Sequence, residues 1–194
     1  MKKLAVVLVG VAALSAVGCA GAVKNMAPVA NVNTVAAPTE AVIVFLRPSG
    51  VGYAVQTSVF EVNEGVPSRL VGIVAAKKKV VYRTTPGPHT FMVIGESADF
   101  MYADLAPGRT YYALATVRPG FWKARFSLKP VTPAEHGDLT GWLADSEWVA
   151  VNADSERWAA ENAADIEKKR SAYLAKWLQK PEADRPFLRA TDAQ

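Results

Sequence analysis

The chain has 194 residues, of which 51% are hydrophobic and 21% are charged, and its formal net charge is +4 at pH 7. This composition excludes collagen, a coiled-coil rod and a wholly disordered chain. Two of the positive charges, Lys2 and Lys3, stand at the extreme N-terminus, so the rest of the chain does not indicate a nucleic-acid partner. The single cysteine, Cys19, excludes an intramolecular disulfide and a zinc site built from cysteines.

The first residues have the pattern of an export signal. Lys2 and Lys3 precede a charge-free run from Leu4 to Val17, as the n-region and h-region of a secretory signal peptide require. Small residues then lead directly to Cys19. We therefore predict a signal peptide over residues 1–18.

The sequence Ala16-Val17-Gly18-Cys19 resembles the lipobox of bacterial lipoproteins, with Ala16 in place of the usual Leu. The resemblance implies cleavage before Cys19 and acylation of this cysteine. Several acyl chains would anchor the protein far more firmly than one C14 chain, which binds a bilayer with K of about 10⁴ M⁻¹. Ala20 follows the cysteine, which by the same resemblance favours the outer membrane, with the body facing the periplasm.

The alternative anchor is an uncleaved transmembrane helix. Leu4 to Val23 is free of charge and long enough to span about 30 Å of hydrocarbon. The positive-inside rule keeps Lys2 and Lys3 in the cytoplasm. The body is therefore expected to be exported under either anchor.

Residues 24–40 are small and polar, include Pro28 and Pro38, and have neither helical nor strand periodicity. We expect residues 19–40 to be a lipidated cysteine followed by a flexible tether. Fully extended, the tether would reach about 55 Å from the bilayer.

Residues 41–133 contain about seven short runs rich in Val, Ile, Tyr and Phe, separated by Gly and Pro. This pattern predicts an antiparallel β-sandwich. Ala41 to Arg47 is apolar on both faces and is expected inside the sandwich. Phe121 to Lys129 alternates, and its predicted core-facing residues are Trp122, Ala124, Phe126 and Leu128.

Residues 134–180 are rich in Ala, Glu, Lys and Trp, which favours helix. The main helix is predicted from about Ala153 to Leu178, with Asn152 or Asp154 as its N-cap. Its apolar arc makes it amphipathic, and residues 181–194 are expected to be a loose tail. The predicted fold class is mainly β, an antiparallel β-sandwich with a C-terminal amphipathic α-helix.

No catalytic set, metal site or cofactor motif stands out, and we predict none. The two histidines, His89 and His136, have no Ser and Asp at a recognisable spacing. Carboxylates could still converge in space to form a hydrolase site. The candidates for such a site are Glu61, Glu64, Asp99 and Asp104.

Two sets of residues could form binding surfaces. One is an outward basic row that could meet anionic headgroups or acidic glycans, although such a row also serves solubility. The other is aromatic and could stack on sugars or accept a partner helix, although a stripe at this spacing also suits a helix core. The first set is Arg118, Lys123, Arg125 and Lys129, and the second is Trp158, Tyr173 and Trp177, with Trp142 and Trp148 nearby.

Residues 42–131 resemble an uncharacterised family of bacterial lipoproteins, domain of unknown function 2846. The resemblance rests on Arg47-Pro48-Ser49, on the turn Thr85-Pro86-Gly87-Pro88-His89 and on Pro107-Gly108-Arg109-Thr110-Tyr111-Tyr112. Pro88 departs from the family pattern. The family brings no established activity, so the resemblance implies a fold and a location only.

The leading hypothesis is therefore a membrane-anchored, non-catalytic envelope lipoprotein that binds or scaffolds an envelope partner and contacts membrane lipid through acylated Cys19. The second hypothesis is a module that binds peptidoglycan or another envelope glycan through Trp and Tyr. The third is a hydrolase built on converged carboxylates.

Overall fold

A computed structural model of the chain describes residues 23–122 and 124–194. The strands in these ranges are β1 (Ala27–Pro28), β2 (Ala41–Arg47), β3 (Thr57–Glu61), β4 (Arg69–Val74), β5 (Lys78–Thr84), β6 (Gly87–Ile94), β7 (Ala98–Leu105), β8 (Arg109–Arg118), β9 (Arg125–Pro130), β10 (Glu147–Ala150) and β11 (Phe187–Leu188). The helices are α1 (His136–Ala144), α2 (Ala153–Glu161) and α3 (Ala163–Leu178), with short 3-10 helices at Pro133–Glu135, Glu182–Asp184 and Ala190–Asp192.

The strands form two mixed sheets. The six-stranded sheet has the order β1-β10-β5-β2-β8-β9, and the five-stranded sheet has the order β11-β7-β6-β3-β4. Side chains from both sheets share one hydrophobic core, in which the ring centroids of Phe45 and Phe91 lie 5.1 Å apart. The prediction of a mainly β protein with helices at its C-terminal end is confirmed.

Helices cover the outer faces of both sheets. All seven residues of β2 are buried, because Ile43 faces the core between the sheets while Val44 packs with Leu139 of α1. On the other side, Ile166 and Trp177 of α3 pack on the five-stranded sheet. This layering explains why the β2 sequence is apolar on both faces.

The prediction that the sheets are wholly antiparallel is wrong. β2 pairs with β8 in parallel, and so do β5 with β10 and β7 with β11. Alternation in a sequence identifies the two faces of a strand but not its direction. Between β2 and β8 the chain forms β5 of the first sheet and β3, β4, β6 and β7 of the second sheet, and β8 then runs in the same direction as β2.

The predicted single C-terminal helix is broken at Asn162. This residue has φ −101° and ψ 5° and separates α2 from α3. Its side-chain nitrogen donates to the carbonyl oxygen of Trp158 at 2.7 Å. The outer bounds, Ala153 and Leu178, match the prediction, and Asn152 is the N-cap, since its side chain accepts from the backbone nitrogen of Ser155.

Residues 24–40, predicted to be a flexible tether, instead lie on the two-sheet body. β1 pairs with β10, and Met26 is buried in the core between the sheets. The Arg83 guanidinium donates to the carbonyl oxygens of Asn33 and Val35. The composition suggested a tether because this segment bonds to a strand edge and to an arginine that both lie far away in the chain. Such contacts leave no local pattern in the sequence.

Residues 181–194, predicted to be a loose tail, also pack on the body. Leu188 is fully buried and pairs with β7. The backbone nitrogen of Gln194 donates to the carbonyl oxygen of Thr110 at 2.9 Å. Residues 24–40 and 181–194 are therefore both part of the packed body.

Candidate functional site

A pocket of about 370 Å³ opens at one end of the body, between the two sheets and the junction of α2 and α3. We call it the open pocket. Its walls combine apolar side chains with a few polar groups, which is the usual composition of a small-molecule site. Among its lining residues are Thr57, Ile73, Phe126, Trp158, Ile166 and Lys169.

The strand side of the open pocket is held by a close backbone approach. The Thr57 hydroxyl donates to the carbonyl oxygen of Ile94 at 2.7 Å. A Cβ on Gly95 would lie 2.6 Å from the carbonyl oxygen of Ala124. Only glycine permits this distance, so Gly95 lets the β6–β7 turn reach the chain that enters β9.

The helical side of the open pocket brings in one aromatic ring and one ion pair. Trp158 is half-buried, and its ring centroid lies 6.5 Å from that of Phe60. Lys169 Nζ lies 3.3 Å from Asp165 Oδ2 and donates to the carbonyl oxygen of Gly95, also at 3.3 Å. The helix break at Asn162, which also lines the pocket, places these groups at its mouth.

The first described residues of the chain lie at the same mouth. Lys24 and Asn25 line the open pocket. The Lys24 backbone nitrogen donates to Gln56 Oε1 at 3.2 Å. The described part of the chain therefore begins beside this pocket.

Two loops next to the open pocket carry exposed apolar side chains. Residues 54–56 of the β2–β3 loop and 120–122 of the β8–β9 loop line one shallow groove. Phe121 and Trp122 are 78% and 85% exposed, with ring centroids 4.9 Å apart. We call this set the apolar loop surface, and it consists of Val51, Tyr53, Val55, Phe121 and Trp122.

Arg47 fixes the first of these loops from inside the protein. It is fully buried, and its guanidinium donates to the carbonyl oxygens of Val51, Gly52 and Val55 at 2.6, 2.8 and 2.5 Å. It also lies over the Phe126 ring, 5.2 Å from its centroid. Burial lowers the pKa of Arg47, yet arginine stays charged. These are therefore charge-assisted hydrogen bonds, roughly twice as strong as neutral ones.

Glu96 fixes the second loop. Its carboxylate accepts from the backbone nitrogens of Phe121 and Trp122 at 3.3 and 2.6 Å. It also forms a two-nitrogen ion pair with Arg125, at 2.9 and 2.7 Å. The two exposed rings are thus carried on a backbone whose donors are satisfied.

The described residues of the predicted basic row are each paired with a carboxylate. Arg118 lies 3.0 Å from Asp99, Arg125 lies 2.7 Å from Glu96, and Lys129 pairs with Glu135. Lys123, the fourth member, lies outside the described residues, as does Cys19. The pairing largely neutralises the charge that this row presents.

The predicted aromatic set does not form one surface. Trp177 is 2% exposed, and its ring lies 4.8 Å from that of Tyr102. Tyr173 is half-buried, and Lys176 Nζ lies 5.4 Å from its ring centroid. Trp158 is the member of the set that lines the open pocket.

One of the candidate carboxylates, Asp99, lies apart from the other three. Asp99 accepts from Arg118, Ser127 and Lys180 at 3.0, 2.5 and 3.2 Å, which makes it a junction of β7, β8, β9 and the end of α3. Asp104 and Glu64 line a groove on the other end of the five-stranded sheet. Glu61 belongs to a buried group, and His89 of that group lines the same groove.

That buried group joins Glu61, Tyr82 and His89 between the two sheets, and sequence reasoning missed it. Glu61 lies 2.6 Å from both His89 Nδ1 and the Tyr82 hydroxyl, and His89 Nε2 lies 2.8 Å from the carbonyl oxygen of Thr85. Since carbonyl and carboxylate oxygens only accept, this arrangement favours the protonated imidazole, in which both ring nitrogens donate. Alternation places Glu61, Tyr82 and His89 on the inner faces of their strands. Their spacing in the sequence does not predict that they contact one another.

The hydrogen bond from His89 lowers the pKa of Glu61, and the same bond raises the pKa of His89. Burial, followed by the bond to Glu61, raises the pKa of Tyr82. The His89 and Glu61 side chains are only 8% and 6% exposed. The Glu61–His89 salt bridge therefore joins neighbouring strands of the five-stranded sheet, and the Tyr82 hydroxyl links Glu61 to the six-stranded sheet.

Within residues 23–122 and 124–194, no three His, Cys, Asp or Glu side chains gather as a metal ion would require. None of the helices described in those ranges has the length and hydropathy to cross a membrane. Leu4 to Val23, the predicted alternative anchor, lies almost entirely outside this part of the chain. A comparison of the chain with protein-family models, curated proteins and solved structures finds no match.

Proposed function

We propose that this protein is an exported lipoprotein, held by acyl chains on Cys19 at the outer membrane and facing the periplasm. In this proposal the body is a non-catalytic binding module, and the open pocket takes a small apolar or amphipathic ligand. The observation that carries the proposal is the position of Lys24. This residue lies on the pocket mouth and only five residues after Cys19, so an anchor at Cys19 would hold the pocket close to the bilayer.

Two features of the sequence support the location. The export signal and the lipobox-like residues precede Cys19. The resemblance of residues 42–131 to the lipoprotein family, domain of unknown function 2846, agrees with the same address. We propose this family relationship together with the function.

The anchor is tested by fractionating cells that express the wild type or Cys19→Ala, with mass spectrometry of the N-terminal peptide. The proposal expects acylated Cys19 in the membrane fraction and loss of processing in the variant. Wild-type protein that is released as a soluble chain with a free thiol would contradict it. Unprocessed wild-type protein that remains in the membrane would favour the transmembrane alternative.

The pocket is tested with the purified lipoprotein and the fluorescent apolar probe N-phenyl-1-naphthylamine. Ala124→Phe places a ring in the wall of the open pocket and should weaken probe binding severalfold. Ala160→Phe, on the exposed side of α2, adds the same ring away from the pocket and should leave binding unchanged. Equal binding by all three proteins would remove the pocket from the proposal.

The alternative is a module that binds an envelope glycan. Trp158 favours it, since this ring is half-buried and lines the open pocket. Sedimentation with purified peptidoglycan tests it, with Trp158→Ala as the informative variant. Co-sedimentation of the wild type and its loss in Trp158→Ala would favour the glycan over an apolar ligand.

A further inference from the structure

We propose that the apolar loop surface inserts into the interfacial region of the bilayer that holds the acyl anchor. The inference rests on the proposed acylation of Cys19. It assigns the protein a second membrane contact, made by Val51, Tyr53, Val55, Phe121 and Trp122. The occupant of this surface is lipid rather than a partner protein.

The chemistry of the surface suits a membrane interface. Trp and Tyr are enriched at the headgroup level, where an apolar ring with a polar atom is stable. Contiguous exposed apolar residues mark an interaction site more often than scattered ones do. Phe121 and Trp122 are adjacent and almost fully exposed, and Val51 is 70% exposed on the neighbouring loop.

The protein holds these side chains outward on fixed backbones. Arg47 is fully buried and bonds three carbonyl oxygens of one loop. Glu96 bonds two backbone nitrogens of the other. A preorganised surface loses less conformational entropy when it binds, so these two charged side chains favour insertion without touching the lipid themselves.

The path of the chain identifies the occupant. Lys24 is bonded to Gln56 at the end of the first loop, and five residues span no more than about 18 Å. Acyl chains on Cys19 would therefore enter the bilayer close to the apolar loop surface. A free tether over residues 24–40 would have allowed the loops to stand far from the membrane, but this segment is packed on the body.

The orientation also gives the open pocket a source of ligand. The pocket shares Val55, Gln56 and Ala124 with the groove between the two loops. Insertion of the loops would turn the pocket mouth toward the bilayer. An apolar ligand would then enter from the lipid without crossing water.

The test uses the acylated lipoprotein in vesicles of phosphatidylethanolamine and phosphatidylglycerol. Cys19 is the single cysteine of the chain and its sulfur is blocked by acylation, so Trp122→Cys or Val51→Cys can be labelled alone with the fluorophore NBD. Val66→Cys is the matched control. Val66 is apolar, 50% exposed and follows the opposite end of β3.

Doxyl lipids quench NBD only when the fluorophore reaches the bilayer, and vesicle flotation reports the anchor independently. We expect flotation together with blue-shifted, strongly quenched emission at positions 122 and 51, and unquenched emission at 66. Flotation with no quenching at 122 and 51 would overturn the inference and leave the anchor intact. Equal quenching at all three positions, or a blue shift without quenching, would overturn it in favour of non-specific adsorption or a protein partner. Failure to float would contradict the proposed function and this inference with it.

Discussion

The backbone nitrogen of Lys24 and the side chain of Gln56 are joined by a hydrogen bond of 3.2 Å, although 32 residues separate them in the chain. The Gln56 side-chain nitrogen lies 3.5 Å from the Lys24 carbonyl oxygen. This pair ties the start of the described body to the loop that carries Tyr53 and Val55. It places the start of the described chain, the open pocket and the apolar loop surface at one end of the fold.

Arg47→Ala removes the three hydrogen bonds that hold the first loop. We expect the free energy of unfolding to fall by about 3 kcal/mol or more, since each hydrogen bond to a charged group contributes about 1.5–3 kcal/mol. Urea denaturation measures this change. Arg157→Ala, which removes an exposed pair with Asp154, should change stability by less than about 1 kcal/mol. A similar effect of both variants would show that Arg47 does not hold the loop.

Trp177→Ala and Trp122→Ala separate a buried from an exposed tryptophan. Trp177 is 2% exposed and packs on Phe100 and Tyr102, so its truncation should cost about 3–5 kcal/mol. Trp122 is almost fully exposed, and we expect a change within about 0.5 kcal/mol. Thermal unfolding of both variants distinguishes them. A large loss of stability in Trp122→Ala would instead support the predicted core position of this residue.

Lys79→Ala tests a buried lysine. Its run, Lys77-Lys78-Lys79, is a pattern that is typical of a solvated turn. Lys79 is 5% exposed, donates to the carbonyl oxygens of Leu143 and Ser146, and lies 4.6 Å from the Trp148 ring centroid. Burial lowers its pKa. We expect the loss of at least about 1.5–3 kcal/mol of unfolding free energy.

Lys77→Ala is the neighbouring control for that variant. Lys77 forms an exposed pair with Asp145, and such pairs contribute about 0–1 kcal/mol. Urea denaturation should therefore rank Lys79→Ala well below Lys77→Ala in stability. The reverse ranking would contradict the buried placement.

The Glu61–His89 salt bridge should make the free energy of unfolding decrease at both acidic and alkaline pH. The pKa of His89 is raised above its ordinary value of 6.5, so its contribution is complete below about pH 6.5 and is lost as pH rises through the raised pKa. The pKa of Glu61 is lowered below 4.5, so its contribution is present above about pH 4.5 and is lost as pH falls through the lowered pKa.

The pair therefore stabilises the protein most between about pH 4.5 and 6.5. In His89→Gln we expect the decrease of stability above pH 6.5 to flatten, together with a loss of about 1.5–3 kcal/mol of unfolding free energy near pH 5.5. Chemical denaturation across this pH range provides the measurement. An unchanged decrease in His89→Gln would show that this pair does not control it.

Local patterns were sufficient to predict much of the framework. Ala41–Arg47 is apolar at every position but its last, and it lies buried between two layers. The outer limits Ala153 and Leu178 of the C-terminal helical region were predicted, and Asn152 was one of two predicted N-caps. Alternation and capping act over a few residues, so a sequence displays them directly.

The candidate site depends on contacts that no local pattern records. Alternation predicts Trp122 in the core, but β9 begins only at Arg125, and the two aromatic residues before it lie on the exposed loop. Arg47 ends an apolar strand, and its burial depends on carbonyl oxygens of the loop that follows.

The sequence by itself determined the positions of most strands and the outer limits of the C-terminal helical region, and its pattern before Cys19 predicts an export signal. Tertiary structure alone decided the parallel pairings, the packing of residues 24–40 and the union of Glu61 with His89. The physical reason is that periodicity assigns each residue to a face of its own strand or helix. Which faces then meet is decided by the packing of elements that lie far apart in the chain.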